Sequence, residues 1–313
     1  MREEFSPIRF IATKEDDLLL VQTLSKLMLL AWLLFSLKVQ AALLLEEPIA
    51  YYGNDFYTAL KQNQLTDDKL KAKLRDILRL PHLIQKKAYD QIRQSCPAKA
   101  KAKCYQHEFH TYRSARRFMY GELHLEDYPK GGYQIKTFYC SKALTRADFP
   151  KGRAPGPGKN LTGKVTNTEH LWPQSHFNRY EPKQLQKSDV HILVPVLSQV
   201  NSSRGNHPFG EAKLPYRVPC RQVNRGYIKK NSKKIYFEPP QHHKGDVARA
   251  LFYFSVRYQI AIDKIQEGFL RKWHRQDPVD QWEIYRNQTV FEFQKNRNPF
   301  IDHPSLVNKI DDF

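Results

Sequence analysis

One run of the chain leaves little freedom in how it must be used. After Gly245-Asp246, apolar side chains return at Ala248, Leu251, Phe252, Val256 and Ile260, with Ser255 among them, at the period of an α-helix. Such a stripe has to be buried, so this helix is a core element rather than a cofactor box. Elsewhere the chain also reads as more helix than strand. Thr66-Asp67-Asp68 offers capping chemistry ahead of Leu70, Leu74, Ile77 and Leu78, which share one helical face. Residues 112–123 read as a helix carrying Arg113, Arg116 and Arg117, and further helices are expected over residues 265–275 and 279–294. Strand signals are shorter, at residues 133–140 and at 234–237, where Pro239-Pro240 closes the run. The fold class is therefore α+β: a helix-rich single domain with a short irregular sheet. A chain of 313 residues is long enough to bury a sizeable core. The Pro/Gly-rich stretch 149–158 reads as a long surface loop rather than a domain boundary.

Residues 27–37 form an uninterrupted mostly apolar run between Lys26 and Lys38. A spanning helix wants roughly 20 such residues, whereas a signal-peptide core is content with this length. Val39-Gln40-Ala41 places small residues where a signal peptidase reads, so residues 1–41 are expected to be an N-terminal extension and signal peptide, and residues 42–313 the functional domain. The acidic Glu15-Asp16-Asp17 ahead of the run is unusual for such a leader and points to a translation start downstream of Met1 or to a tolerated extension. The processed protein is expected to be periplasmic or secreted, monomeric and without a membrane span; an uncleaved, anchored form would do the same chemistry.

Export bears on the cysteines. Cys96, Cys104, Cys140 and Cys220 are an even set, which in an oxidising compartment favours two disulfides. The local pair Cys96–Cys104 leaves Cys140–Cys220 to join strand-rich segments. The rival is zinc, since Cys104, His107 and His110 recur at three-residue steps, but no close cysteine pair accompanies them.

Lys and Arg number 51 against 32 Asp and Glu, a formal charge of +19. That excess speaks to a polyanionic partner through counterion release and steering, or to anionic lipid or cell wall, and says little about fold. What turns it towards nucleic acid is the stretch Asn167-Thr168-Glu169-His170-Leu171-Trp172-Pro173-Gln174-Ser175, followed by Ser188-Asp189-Val190-His191 and Val200-Asn201-Ser202-Ser203-Arg204-Gly205-Asn206. A base, a carboxylate and an amide oxygen close together are what hydrolysis of a phosphodiester with one metal ion requires. Glu169 and His170 are adjacent, so on a regular strand they face opposite ways; they converge only where the strand ends or bends, and Pro173 marks such an end. Residues 190–195 read as a second strand, and the segment from Leu197 as a short helix stopped near Gly205. Strand, long loop, strand, helix brings Asn201 back beside His170.

These blocks resemble the bacterial endonuclease I family. Glu169-His170-x-Trp172-Pro173, Asp189-x-His191, Val200-Asn201-Ser202-x-Arg204-Gly205-Asn206 and Pro208-Phe209-Gly210-Glu211 carry the resemblance, extended by Phe237-Glu238-Pro239-Pro240, Lys244-Gly245-Asp246-x-Ala248-Arg249-Ala250 and residues 296–304. The family belongs to the His-Me finger, or ββα-metal, nucleases, and the resemblance implies a periplasmic or secreted, Mg²⁺-dependent endonuclease without sequence preference. Its substrate would be DNA and also RNA, cut to 5′-phosphate and 3′-hydroxyl ends. It further implies that His170 is the general base and that Glu169 and Asn201 hold the metal. A basic side chain should hold the phosphate next to the leaving group; Arg179, Lys183 and Arg204 are the candidates, with Arg204 preferred for its closeness to Asn201. Since His170 must be neutral to act, activity is expected to fall below about pH 6. Trp172 is expected to pack rather than stack on a base, His191 to orient a neighbour or take part, and His176, His207, His242 and His243 to be structural or near phosphate. Two alternatives stand beside this reading: a secreted nuclease acting mainly on RNA, and a catalytically silent polyanion binder of the same fold. The second would be expected to lose Glu169, His170 or Asn201, and all three are present.

Overall fold

The helix expected near residue 250 is buried on every side rather than along one stripe. In Lys244–Tyr258 every residue except Asp246 is buried. The reason is that the polar positions are used internally. Arg249 forks onto the Glu283 carboxylate, and Arg257 Nε lies 3.6 Å from Asp189 Oδ2. A helix buried all round is a domain's central strut, and other elements of residues 48–313 pack around it.

The structure, a computed structural model, describes residues 48–313 apart from Lys151 and Thr162, together with Met28. Met28 apart, the expected signal peptide, with its cleavage site and the boundary at residue 41, lies outside the described residues. Pro48–Phe313 forms one compact unit with a continuous apolar core. Among the described residues no helix is long and apolar enough to cross a membrane.

In chain order, α1 (Asn54–Lys61) and α2 (Asp67–Arg79) precede a small sheet of β1 (His82–Leu83), β2 (Gln91–Ile92) and β3 (Cys104–Tyr105), ordered β2-β1-β3. Then α3 (Tyr112–Phe118) runs on through a wide π turn, Met119–Leu123, into β4 (Leu125–Asp127), β5 (Tyr133–Lys136) and β6 (Ala143–Leu144). A long loop leads to β7 (Thr166–His170), α4 (Lys183–Lys187), β8 (Leu193–Leu197) and α5 (Ser198–Arg204). A third three-stranded sheet, β9 (Leu214–Tyr216), β10 (Asn224–Tyr227) and β11 (Ile235–Glu238), comes before α6 (Lys244–Tyr258), α7 (Lys264–Gln276), α8 (Gln281–Gln294) and α9 (Pro299–Asp302).

The α+β character agrees with the sequence reading, but the described strands form four separate small sheets instead of one. Strands this short cannot propagate a ladder, and each sheet takes its stability from the helices and disulfides beside it. Two further details differ. Thr66 precedes α2 without a side-chain cap, and the Asp67 carboxylate accepts from Asp311 N at 2.8 Å instead. Val190–Ile192 is a single 3₁₀ turn, so the second strand starts only at Leu193. The disulfides pair as expected, Cys96–Cys104 and Cys140–Cys220. The first of them removes the thiolate that a zinc site at Cys104, His107 and His110 would need.

Candidate active site

β7 and β8 are antiparallel, in register from Thr166↔Leu197 to His170↔Leu193. Because β8 passes directly into α5, that helix begins beside the start of β7, where Ser198 N donates to Val165 O at 3.1 Å. It ends beside the finish of β7, where Arg204 reaches Glu169 and the Leu171 carbonyl. The helix thus runs back over the strand pair in the direction of β7. Asn201 lies one turn before Arg204, on the same side of the helix. Gly205, at φ 55°, stops it with a backbone bond to Asn201 O of 2.9 Å. The left-handed region is where a glycine costs least.

Glu169 and His170 are both almost fully buried at the end of β7. The pleat is kept, so they meet different neighbours. Tyr139 Oη donates to Glu169 Oε1 at 2.9 Å, and Arg204 Nε lies 3.0 Å from the same oxygen. Both side-chain contacts therefore fall on Oε1. Burial holds the Glu169 carboxyl above the ordinary range, against the opposing pull of Arg204 and Tyr139.

His170 is fixed from the other side. Its Nε2 lies 3.0 Å from the Lys187 carbonyl oxygen. A carbonyl only accepts, so Nε2 carries the proton and the lone pair of the neutral ring sits on Nδ1. The amide nitrogen of Gln174, an exposed residue, is 3.3 Å from Nδ1, as suits an acceptor that looks toward the surface. Burial, followed by the charges of Lys187, Arg204 and Arg116, lowers the His170 pKa to about 4, so the ring is neutral at pH 7. Tyr112 lies against it, ring centroids 5.5 Å apart, with Lys187 Nζ and the Arg116 guanidinium 4.6 and 5.3 Å from the Tyr112 centroid.

Arg204 stands otherwise than the sequence led one to expect. It is 1% exposed and its guanidinium is spent within the protein: on Glu169, on Leu171 O at 2.8 Å and on Gly205 O at 2.9 Å, over the Phe209 ring. Those contacts bracket His170 along the chain, which fits positioning rather than gripping a phosphate. Arg179 and Lys183 are exposed. Asn201 is half-buried, and its side-chain amide makes no hydrogen bond to another described residue. A carboxylate and an amide without a protein partner among the described residues are hard oxygen donors, a type that suits Mg²⁺ completed by waters and phosphate.

Other residues of these motif blocks, and His242 and His243, are engaged with neighbours within the protein. Asp189 and His191 are wholly buried, and His191 Nε2 donates to Asn296 O at 3.2 Å. Trp172 stacks on Phe254 and donates to His176 O at 3.0 Å. Asn298 caps α9, while Arg297 forks onto Asp302 at 2.7 and 2.9 Å. His243 meets Asp246 at 2.8 Å; His242 lies 3.2 Å from Ser141 Oγ. Tyr139 and the Lys187 carbonyl, which shape the site, carry no signal in the sequence. Gln174 does lie inside the quoted motif.

The sequence pattern of the family described as Endonuclease I matches residues 70–305, which takes in every residue of this site. The chain belongs to the endonuclease I family. It is 38% identical over 162 residues to an extracellular ribonuclease of Bacillus amyloliquefaciens, covering 46% of this chain and 53% of the relative. It is 32% identical over 127 residues to an extracellular deoxyribonuclease of Aeromonas hydrophila, covering 40% and 51%. To Endonuclease-1 of Buchnera aphidicola subsp. Acyrthosiphon pisum it is 29% identical over 115 residues, covering 37% and 44%. The matches span about half the length of these relatives. Endonuclease I relatives are thus named for both sugars.

Proposed function

We propose that this endonuclease I family member is an exported, Mg²⁺-dependent endonuclease that hydrolyses phosphodiester bonds of DNA, and also of RNA, without sequence preference, to 5′-phosphate and 3′-hydroxyl ends. The observation that carries the reading is the His170 imidazole: anchored through Nε2–H to a backbone carbonyl, neutral at pH 7, with its Nδ1 lone pair facing the amide of exposed Gln174. That is the arrangement a general base needs. The pairing of β7 and β8 followed by α5 supports reading the site as a ββα-metal finger.

Glu169 and Asn201 would hold the metal ion. When bound, it supplies Lewis acidity at the phosphate and stabilises charge on the departing 3′-oxygen. His170 Nδ1 takes a proton from the attacking water as Gln174 moves aside, and the resulting imidazolium keeps its bond to Lys187 O. Arg204 fixes the Glu169 carboxylate as a positioning residue. Lys187 and Arg116, on the His170 side, with exposed Arg179 and Lys183, are the cations available to the phosphate. Two disulfides and the extracellular and periplasmic names of the relatives support export. The charge of +19 supports affinity that carries no base information.

The test is nicking of supercoiled plasmid and of an RNA by the purified chain, with Mg²⁺ or EDTA, beside His170→Ala. Metal-dependent cleavage that His170→Ala loses while plasmid binding persists is the expected result. Binding without cleavage by the wild type, across divalent metals and both sugars, would overturn the reading in favour of a silent polyanion binder.

A further inference from the structure

Between α5 and α6, residues 213–234 are not consumed by the site described above. From Lys213 to Lys234 the chain carries eight Lys or Arg and no Asp or Glu. Among the described residues this segment makes one ion pair, Lys234 to Asp263 at 3.3 Å. Lys213, Arg217, Arg221, Lys229, Lys230 and Lys233 stand exposed.

The sheet within this segment displays aromatic surface. β9 and β10 pair with Tyr216 opposite Arg225 and Leu214 opposite Tyr227, so these four side chains share one face. Leu214 is 46% exposed and Tyr216 41%. The Tyr216 and Tyr227 rings lie 5.7 Å apart edge-on, and the Arg225 guanidinium is 5.6 Å from the Tyr216 centroid. Gly226 lets the two strands close up, because a Cβ there would fall 2.0 Å from Leu214 O. Half-exposed aromatic rings among cations with few acidic partners suit a ligand with phosphates on one side and flat bases on the other.

We propose that this β9–β10 face is a stacking platform for an unpaired nucleic-acid strand, with Tyr216 as its principal ring. The inference rests on the nuclease reading and adds the substrate form: single-stranded segments, because a duplex hides its base faces in its own stack. Two ties join the platform to the site. Arg225 donates to Ser203 O at 3.2 Å, the residue before Arg204 on α5. Cys220 is bonded to Cys140, next to Tyr139, whose hydroxyl holds Glu169. A strand lying on these rings is therefore carried on the same framework as the metal ligands.

The experiment measures binding of fluorescent oligothymidylate and of a duplex of equal length to the full chain carrying His170→Ala, in EDTA, by anisotropy. On that background Tyr216→Ala should weaken oligothymidylate binding about tenfold while changing duplex binding less than about twofold, and Tyr216→Phe should bind as the parent does. Tyr216→Trp, which enlarges the ring, should tighten it, and reads the platform even if Tyr216→Ala folds poorly. Unchanged single-strand binding in Tyr216→Ala, or equal losses for both forms, would overturn the platform. The two readings fail separately: plasmid cleavage by wild type with no Tyr216 effect removes the platform alone, and a Tyr216 effect without cleavage removes the nuclease reading alone.

Discussion

Glu169 and Asp189 are both buried carboxylates that face an arginine, with one tyrosine hydroxyl on the first and two on the second, yet their surroundings differ. Asp189 is saturated. Tyr253 and Tyr258 donate to its Oδ2 at 2.8 Å each, Gln294 and the His191 amide to Oδ1 at 2.9 and 3.2 Å, and Arg257 stands 3.6 Å away. Burial alone would raise its pKa, but Arg257 and the neighbouring histidines outweigh that and hold it below the ordinary range. Glu169 has its side-chain contacts on one oxygen, a pKa pushed the other way by burial, and a neutral imidazole as its sequence neighbour. A carboxylate whose every lone pair is answered by protein is a keystone. One with fewer partners, next in sequence to a neutral imidazole, has more room for a ligand.

The largest effect that tests this contrast is on rate. His170→Ala should cost about 10²–10⁴-fold in cleavage, the range for a general base, with the circular dichroism spectrum unchanged. Wild-type rates in that variant would end the assignment. Glu169→Gln and Asp189→Asn should each destabilise by about 3–5 kcal/mol, because each leaves a buried arginine uncompensated. They part in activity. Under conditions where both are folded, Asp189→Asn should cleave as wild type does and Glu169→Gln should not, and equal specific activities would erase the distinction. Opening Cys140–Cys220 by a double serine substitution removes a tie 80 residues long on the Glu169 side, and should lower stability by about 4–5 kcal/mol in urea.

The smallest effect is on pH. His170, His191 and His274 are lowered to about 4 and His107 to about 3, all from an unfolded value of 6.5. A folded pKa below the unfolded one means the unfolded chain binds more protons between the two. Their contribution is therefore complete above pH 6.5 and lost as pH falls toward 4. Asp189 adds a loss below the unfolded value of 3.8, while Glu169, raised above 4.5, works in the opposite sense as pH falls toward that value. Denaturant titrations should show stability declining from about pH 6.5 downward. Cleavage by protein that remains folded should persist below the pH 6 expected from an ordinary histidine and fail near 4. A midpoint at 6 or above would mean that His170 is exposed when substrate binds.

Much of the fold was legible because the signals are local. Periodicity located α2, α3 with its π turn, α6, α7 and α8. The count and spacing of cysteines led to both disulfides. The division into four small sheets was not legible, since strands of two to five residues carry little pattern and pair according to what packs on them. Within the site, the motif blocks named Glu169, His170, Asn201 and Arg204 together, and the resemblance they carry assigned each a role, but nothing in the blocks showed what each side chain would touch. Arg204 reads on paper as an available cation, and only the approach of α5 to β7 buries it against Glu169. The same blocks contain Asp189, His191, Asn298 and Arg297, as distinctive in sequence as the site residues, and these turn out to hold the core.

What the sequence determined by itself is inventory: a strongly cationic chain, an even set of cysteines, a central apolar helix, and a carboxylate, an imidazole and an amide at short spacing. These follow from side-chain chemistry and short-range spacing, which a linear string records in full. What only the tertiary structure decided is protonation and orientation. The proton on His170 Nε2 is set by a carbonyl at Lys187, and every residue type has a carbonyl. The neutrality of that ring at pH 7 and the raised pKa of Glu169 both come first from burial, a property of how distant segments close over one another rather than of any residue in either of them.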